Sequence, residues 1–296
     1  LCYLYRRVVD VARAITTPLL RRWGGFLYML YYSLMNERRR YNPNRSADWN
    51  YGGKNWKLSR SKIDLFLECE RCFYLDNVLG TARPRGPSFT LNIAVDELLK
   101  REFDAYRARQ EPHPIMEAAD LEMLPYADDR LDAWRDNFTG VQHQHAASGL
   151  TVSGAVDDLW ETVDGEIVVV DYKATSKEGT ITTLADSSWE AQYRRQVGVY
   201  QWLLRQEGFE VSDTGYFVYA NADASRSEFA NSLQFETTLI PITGETEWIE
   251  PTLSAIATCL QRDDLPPVGT TCEYCAYRQA AGEKLLAIHR KTQART

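Results

Sequence analysis

Gly154-Ala-Val-Asp157-Asp158-Leu-Trp-Glu161, a short turn, and Ile167-Val-Val-Val170-Asp171-Tyr172-Lys173 form the stretch on which the reading of this chain rests. Two apolar runs, Leu150 to Val163 and Glu166 to Ala174, flank Asp164-Gly165. Asp-Gly between β-branched runs predicts a hairpin, because both central residues of a type I′ turn need positive φ. The hairpin carries Asp157 on its first strand, and places Asp171 and Lys173, two apart, on one face of its second. Two carboxylates and an ammonium at the end of an apolar strand are costly to bury unless they coordinate something. A divalent cation with hard oxygen ligands meets that need, and the lysine can hold a water or a phosphate oxygen beside it. The competing reading is an exposed ion pair on an edge strand. Asp158 is the rival carboxylate, but alternation turns it to the opposite face from Asp157.

Upstream, Leu58 to Gly80 reads as a helix, with Ser61 and Asp64 spaced as a capping box and Cys69 and Cys72 on one face. Residues 89–110 make a second helix, with Ile93, Val95, Leu98, Leu99, Phe103 and Tyr106 inward and Asp96 and Glu97 mid-helix. A short helix is expected over 128–139, and His143 and His145 alternate with Gln as on a solvent-facing strand. Downstream, Trp189 to Gly208 is a strong helix with Tyr193, Gln196 and Tyr200 on one stripe. Strands follow at 214–221 and 232–241, then a helix from about 245 to 262. This order suggests a single α/β domain, a mixed central sheet flanked by helices.

Six cysteines include two Cys-x-x-Cys pairs, Cys69 with Cys72 and Cys272 with Cys275. That pattern predicts a four-thiolate metal site, a zinc ion or an iron–sulfur cluster, clipping the first helix to the C-terminal tail. Cys259 reads as a buried free thiol.

The composition is that of a soluble globular chain of 296 residues, 44% hydrophobic and 25% charged. The net charge of −7 hides an asymmetry. Residues 1–45 carry nine Arg against Asp10 and Glu37, so +7, and the rest is −14. An acidic body is not that of a generic nucleic-acid binder, although bound cations change the field where it matters. No apolar run is long enough to span a membrane, so a cytoplasmic protein without a membrane partner is expected. Residues 1–56 read as a basic and polar extension, of which 1–34 are expected to be upstream sequence translated in frame, with Met35 a candidate start. The alternative for that segment is a basic amphipathic helix.

Five segments together resemble the PD-(D/E)XK nuclease superfamily, specifically its RecB-like branch, which includes AddB-like nuclease domains and CRISPR adaptation nucleases. They are Leu58-Ser-x-Ser61-x-Ile63-x-x-Phe66-x-x-Cys69 with Phe73-Tyr74, Gly154-x-x-Asp157, Asp171-Tyr172-Lys173, Gln196-x-x-x-Tyr200 and Cys272-x-x-Cys275-x-Tyr277. Each is weak alone, and five in the right order are specific. The resemblance implies a restriction-endonuclease-like core over residues 57–281, with 282–296 as a tail. Two departures stand out: Asp96 occupies the place of a common His, and the cysteines divide two and two rather than one and three.

The resemblance further implies hydrolysis of DNA phosphodiesters with Mg²⁺ or Mn²⁺ held by Asp157, Asp171 and the Tyr172 carbonyl, and Asp96 completing the shell. Lys173 acts on the water or the developing charge, with Gln196 and Tyr200 holding the nucleic-acid backbone or the lysine. A [4Fe-4S] cluster or Zn²⁺ sits on Cys69, Cys72, Cys272 and Cys275. Implied partners are DNA and the subunits of a helicase, repair or defence complex. The rival reading is an inactive binding or assembly subunit of the same fold.

Overall fold

β-branched residues crowd the strand Ile167–Thr175, and it lies in the middle of a five-stranded sheet. The computed structural model describes residues 45–84, 86, 88–184 and 188–293, so the basic N-terminal segment lies outside the described residues. Two sheets are present. Leu58–Ser59 (β1), Val141–His145 (β3) and Leu150–Gly154 (β4) form a three-stranded sheet in the order β1-β4-β3. Met123–Pro125 (β2), Asp158–Thr162 (β5), Ile167–Thr175 (β6), Thr214–Ala222 (β7) and Phe235–Thr243 (β8) form the second, in chain order. β6 and β7 pair parallel while β5–β6 and β7–β8 pair antiparallel, so the sheet is mixed as expected.

β6 is covered on both faces, which explains its unbroken apolar run. Its alternate residues Val168, Val170 and Tyr172 pack with Phe103 and Met116 on one side. Ile167 and Val169 pack with Val197, Tyr200 and Leu203 on the other. The first side is closed by the helix Thr90–Arg109 (α3) and the second by Ser188–Gln206 (α6). Strand period therefore aims Tyr172 toward α3, and Asp171 and Lys173 toward α6.

The remaining helices are Arg60–Glu68 (α1), Glu70–Asn77 (α2), Pro114–Ala118 (α4), Leu131–Arg135 (α5), Ile249–Leu260 (α7) and Glu273–Gln293 (α8).

The structure corrects several expectations. The run Leu150 to Val163 is not one strand: β4 and β5 belong to different sheets, and Ala155-Val156-Asp157 cross between them. Asp157 thus lies on the crossing, not on a hairpin strand. The hairpin itself is real, but only Gly165 of the Asp-Gly pair has positive φ, at 87°. Gly165 N–H donates to the Thr162 carbonyl and Thr162 N–H to Glu166, each at 3.0 Å, which is a three-residue loop with a bulge. The helix expected from Leu58 breaks at Cys69, whose φ of −163° and ψ of 104° are extended. Ser61 does not cap it: Ser59 precedes its first residue, and Asp64 pairs with Arg60 and Arg195 instead. Along α3 only Phe103 and Arg107 are buried, so Ile93 and Leu98 do not face a core. The helix expected over 128–139 contracts to Leu131–Arg135. His145 is buried rather than solvent-facing, its ring bonded to Ser148 and Glu250.

Candidate active site and thiolate centre

Gly154 ends β4 where α6 passes closest. A Cβ there would lie 2.7 Å from Tyr200 Cε1 and 2.9 Å from Leu203 Cδ1. Only glycine lets Tyr200 sit against this strand end, and Tyr200 begins a chain of contacts into the site. Gln196 Nε2 lies 3.2 Å from Tyr200 Oη and donates to Asp171 Oδ1 at 2.7 Å, while Lys173 Nζ lies 3.4 Å from Gln196 Oε1. Lys173 also pairs with Asp171 and stands 4.8 Å over the Tyr193 ring. The Tyr193, Gln196 and Tyr200 stripe read from helical spacing therefore faces the Asp171 and Lys173 pair across the sheet.

Asp171 is fully buried, in a central strand, which excludes the exposed edge-strand pair. Burial raises its carboxyl to about 7, with Lys173 pulling down and neighbouring Asp157 pushing up. The two carboxyls are close enough to share a proton. Burial would raise Asp157 as well, but Lys100 and Lys173 hold it below the usual range. Burial and Asp157 raise Asp96. Burial would lower Lys173, and the two carboxylates more than reverse that.

Lys100 was not among the sequence candidates. Its Nζ lies 2.8 Å from Asp96 Oδ2 and 3.2 Å from Asp157 Oδ1, bridging α3 to the crossing. The signal was available, since Asp96 and Lys100 are an i,i+4 pair, but a helix surface shows many such pairs.

Tyr172 N–H donates to Asp157 Oδ2 at 3.2 Å. β5 begins at Asp158, opposite Val170, so β6 outruns its partner there and the Tyr172 peptide edge opens onto the cleft. On a strand the N–H and C=O of one residue share a side, so the Tyr172 carbonyl opens the same way.

Asp158 turns to the opposite face, as alternation requires. It is fully buried and takes Arg107, Arg135 at 3.0 Å and the Tyr172 hydroxyl. Arg135 also donates to the Asp157 carbonyl at 2.9 Å, so this network holds the crossing from behind. Arg107 shows only an ordinary i,i+3 pair with Asp104, and the partners that bring Arg107 and Arg135 together, Asp158 above all, are distant in sequence.

These groups meet at an open cleft of about 530 Å³ bordered by Arg60, Asp96, Lys100, Arg135, Asp157, Tyr172 and Gln196. Asp171 does not itself border it and lies directly behind Gln196. Three carboxylates with a free carbonyl edge are a hard-oxygen donor set, and a carboxyl pair sharing a proton is one in which a divalent cation can replace that proton.

The second centre is built from the break at Cys69. Cys69, Cys72, Cys272 and Cys275 are buried, and their sulfurs lie within 4.8 Å of one another, so the four could hold a metal. Three of the sulfur pairs are 3.5, 3.6 and 3.7 Å apart. Gly269 N–H donates to Cys69 Sγ at 3.2 Å and Arg83 to Cys272 Sγ at 3.2 Å. Burial would raise the Cys69 thiol, and the Gly269 amide with its other donors brings it to about 7. Among the described residues no helix is long and apolar enough to cross a membrane.

The family model of the PD-(D/E)XK nuclease superfamily matches residues 57–280. A search of curated proteins gave no match. Among solved structures, the chain is similar to the crystal structure of SSO0001 at 10% identity and a TM-score of 0.34, covering 81% of this chain and 88% of that one. It is also similar to the "Putative exonuclease" from Eubacterium rectale at 14% identity and a TM-score of 0.39, covering 75% and 87%.

Proposed function

The chain belongs to the PD-(D/E)XK nuclease superfamily, and on that premise we propose that it is a Mg²⁺- or Mn²⁺-dependent deoxyribonuclease of the RecB-like branch. The observation that carries this reading is that Asp96 from α3, Asp157 from the crossing and Gln196 from α6 border one cleft, with Asp171 and Lys173 of β6 joined to each other and to Gln196 directly behind it. Asp157, Asp171 and the Tyr172 carbonyl would hold the cation, with Asp96 completing the shell. When bound, it supplies polarisation of the scissile phosphate and a water acidified toward neutral pH.

The chain's own residues do the rest. Lys173, held by Asp171 and Gln196, presents an ammonium to the attacking water or to the charge developing on phosphorus. Gln196 fixes the Asp171 carboxylate, and Tyr200 fixes Gln196. Arg60 borders the cleft as a cation for the sugar-phosphate backbone, while Arg135 steadies the crossing that carries Asp157.

The four buried cysteines of the two Cys-x-x-Cys pairs support a structural metal. Tetrahedral zinc with thiolate bonds of about 2.3 Å sets its sulfurs roughly 3.8 Å apart. Three of the six pairs, at 3.5 to 3.7 Å, and an overall spread within 4.8 Å suit a single ion. A cubane cluster interposes four irons and four sulfides and spreads its thiolates further, so Zn²⁺ is the reading preferred here.

The test is cleavage of end-labelled single- and double-stranded DNA with Mg²⁺, Mn²⁺ or EDTA, comparing the wild-type chain with Asp171→Asn. Metal-dependent cleavage lost in the folded variant is expected. Undiminished cleavage by Asp171→Asn, or none by wild type with its thiolate metal intact, would overturn the proposal in favour of a binding subunit.

A further inference from the structure

The cleft wall contributed by α3 is apolar at its lip. Phe89, immediately before α3, and Ile93, one turn on, are 68% and 51% exposed, and both border the cleft. Asn92, Asp96 and Lys100 border it from the same helix, and spacings of three and four put all five on one stripe. The Asn92 amide donates to the Ala174 carbonyl, which fixes the stripe against the end of β6. Phe89 and Ile93 are therefore held open beside ionised groups, where apolar surface is otherwise disfavoured.

The groove's charge points to its occupant. Arg60, Lys100 and Arg135 border it beside Asp96 and Asp157; Lys100 is held between those two carboxylates and Arg135 by Asp104 and Asp158, while Arg60 shares a single pair with Asp64. An apolar lip and a cation on the border of one open cleft match a polymer with flat apolar groups on one side and phosphates on the other. That is a nucleic-acid strand whose bases are unpaired. In a duplex the base faces are stacked inside and cannot reach such a lip.

We propose that Phe89 and Ile93 form a base-stacking lip that makes this cleft select an unpaired strand. The inference rests on the nuclease reading of the cleft and adds the residues that choose its substrate. Bases lie on the lip while Arg60 at the cleft border takes a phosphate, which delivers the backbone to Asp157 and Gln196. Stacking on an aromatic platform tolerates any base, so the selection is for strandedness rather than sequence.

The experiment measures binding of fluorescein-labelled oligothymidylate and of a labelled blunt hairpin duplex to the full chain by anisotropy, with Ca²⁺ in place of Mg²⁺. Wild type is expected to prefer the single strand. Phe89→Ala should weaken that binding roughly tenfold, with the duplex little changed, and Phe89→Tyr should restore it. Phe89 is exposed, so the variants should fold, as circular dichroism would confirm. Equal loss for both ligands, no loss in Phe89→Ala, or a wild-type preference for duplex would overturn the lip, and such results would suit a lip that serves a protein partner instead. Hydrolysis of bis(p-nitrophenyl) phosphate by wild type separates the two levels. Hydrolysis without strand preference sinks the lip alone, whereas neither hydrolysis nor binding sinks the nuclease reading with it.

Discussion

Substituting Gly154 by Ala tests whether the chain of contacts from β4 into the site is real. Gly154 does not have positive φ, so the backbone accepts Ala without strain, and the penalty in the fold is one of space, set against about 0.4–1 kcal/mol gained from a stiffer unfolded chain. The new methyl would lie 2.7 Å from Tyr200 Cε1 and 2.9 Å from both Tyr200 Cδ1 and Leu203 Cδ1, both of them buried side chains. Overpacking of this kind costs about 1–3 kcal/mol. For a body of this size that corresponds to a fall in Tm of about 2 to 12 °C. The ring must shift by several tenths of an ångström, and it carries with it the hydroxyl that fixes Gln196 on Asp171. Cleavage measured well below the Tm should therefore drop by about tenfold, more than any loss of folded protein explains. Calorimetry and cleavage rates on Gly154→Ala, Tyr200→Leu and the double variant give a thermodynamic cycle. Gly154→Ala should cost much less once Tyr200 is Leu. An Ala variant as stable as wild type, or an equal penalty in both backgrounds, would refute the reasoning.

Three further outcomes are expected. Asp171 keeps its proton up to about pH 7 in the fold, so cation binding must displace it below that pH. Mn²⁺ affinity followed by electron paramagnetic resonance should rise from pH 6 to 8, and affinity independent of pH would contradict the site. The sign for stability is opposite: the unfolded chain loses that proton near pH 4, so the metal-free protein should become less stable between there and pH 7 and level off above. Stripping the thiolate metal with a strong chelator should lower the Tm by 10 °C or more, because the centre joins α1 and α2 to the start of α8. Stoichiometric metal release with an unchanged Tm would remove its structural role.

How far the sequence reached varies from residue to residue. The shared face of Asp171 and Lys173 follows from strand period alone, whereas an exposed edge-strand pair stayed open until the sheet order placed β6 in the middle. The four cysteines were legible because paired thiols at that spacing have few other uses. The crossing at Ala155 to Asp157 was not, since Leu150 to Val163 alternates as one strand would. What separates β4 from β5 is the approach of α6 to Gly154, a contact 46 residues away in the sequence for Tyr200. The break at Cys69 interrupts residues that favour a helix, and the four-thiol geometry overrides that preference. Ile93 and Leu98 follow the core period of α3, yet the sheet and its cover do not extend over that half of the helix. Lys100, Arg107 and Arg135 look like surface charges until the fold brings carboxylates to them.

The most direct test of the central claim is to measure Mn²⁺ binding and DNA cleavage on the same preparation of Lys173→Met. The carboxylates should still take Mn²⁺ with affinity near that of wild type, while cleavage of end-labelled DNA falls by at least a hundredfold (about 10²). Cleavage within a few-fold of wild type would contradict the assignment of Lys173 to the chemistry, and with it the account of the cleft as a nuclease site.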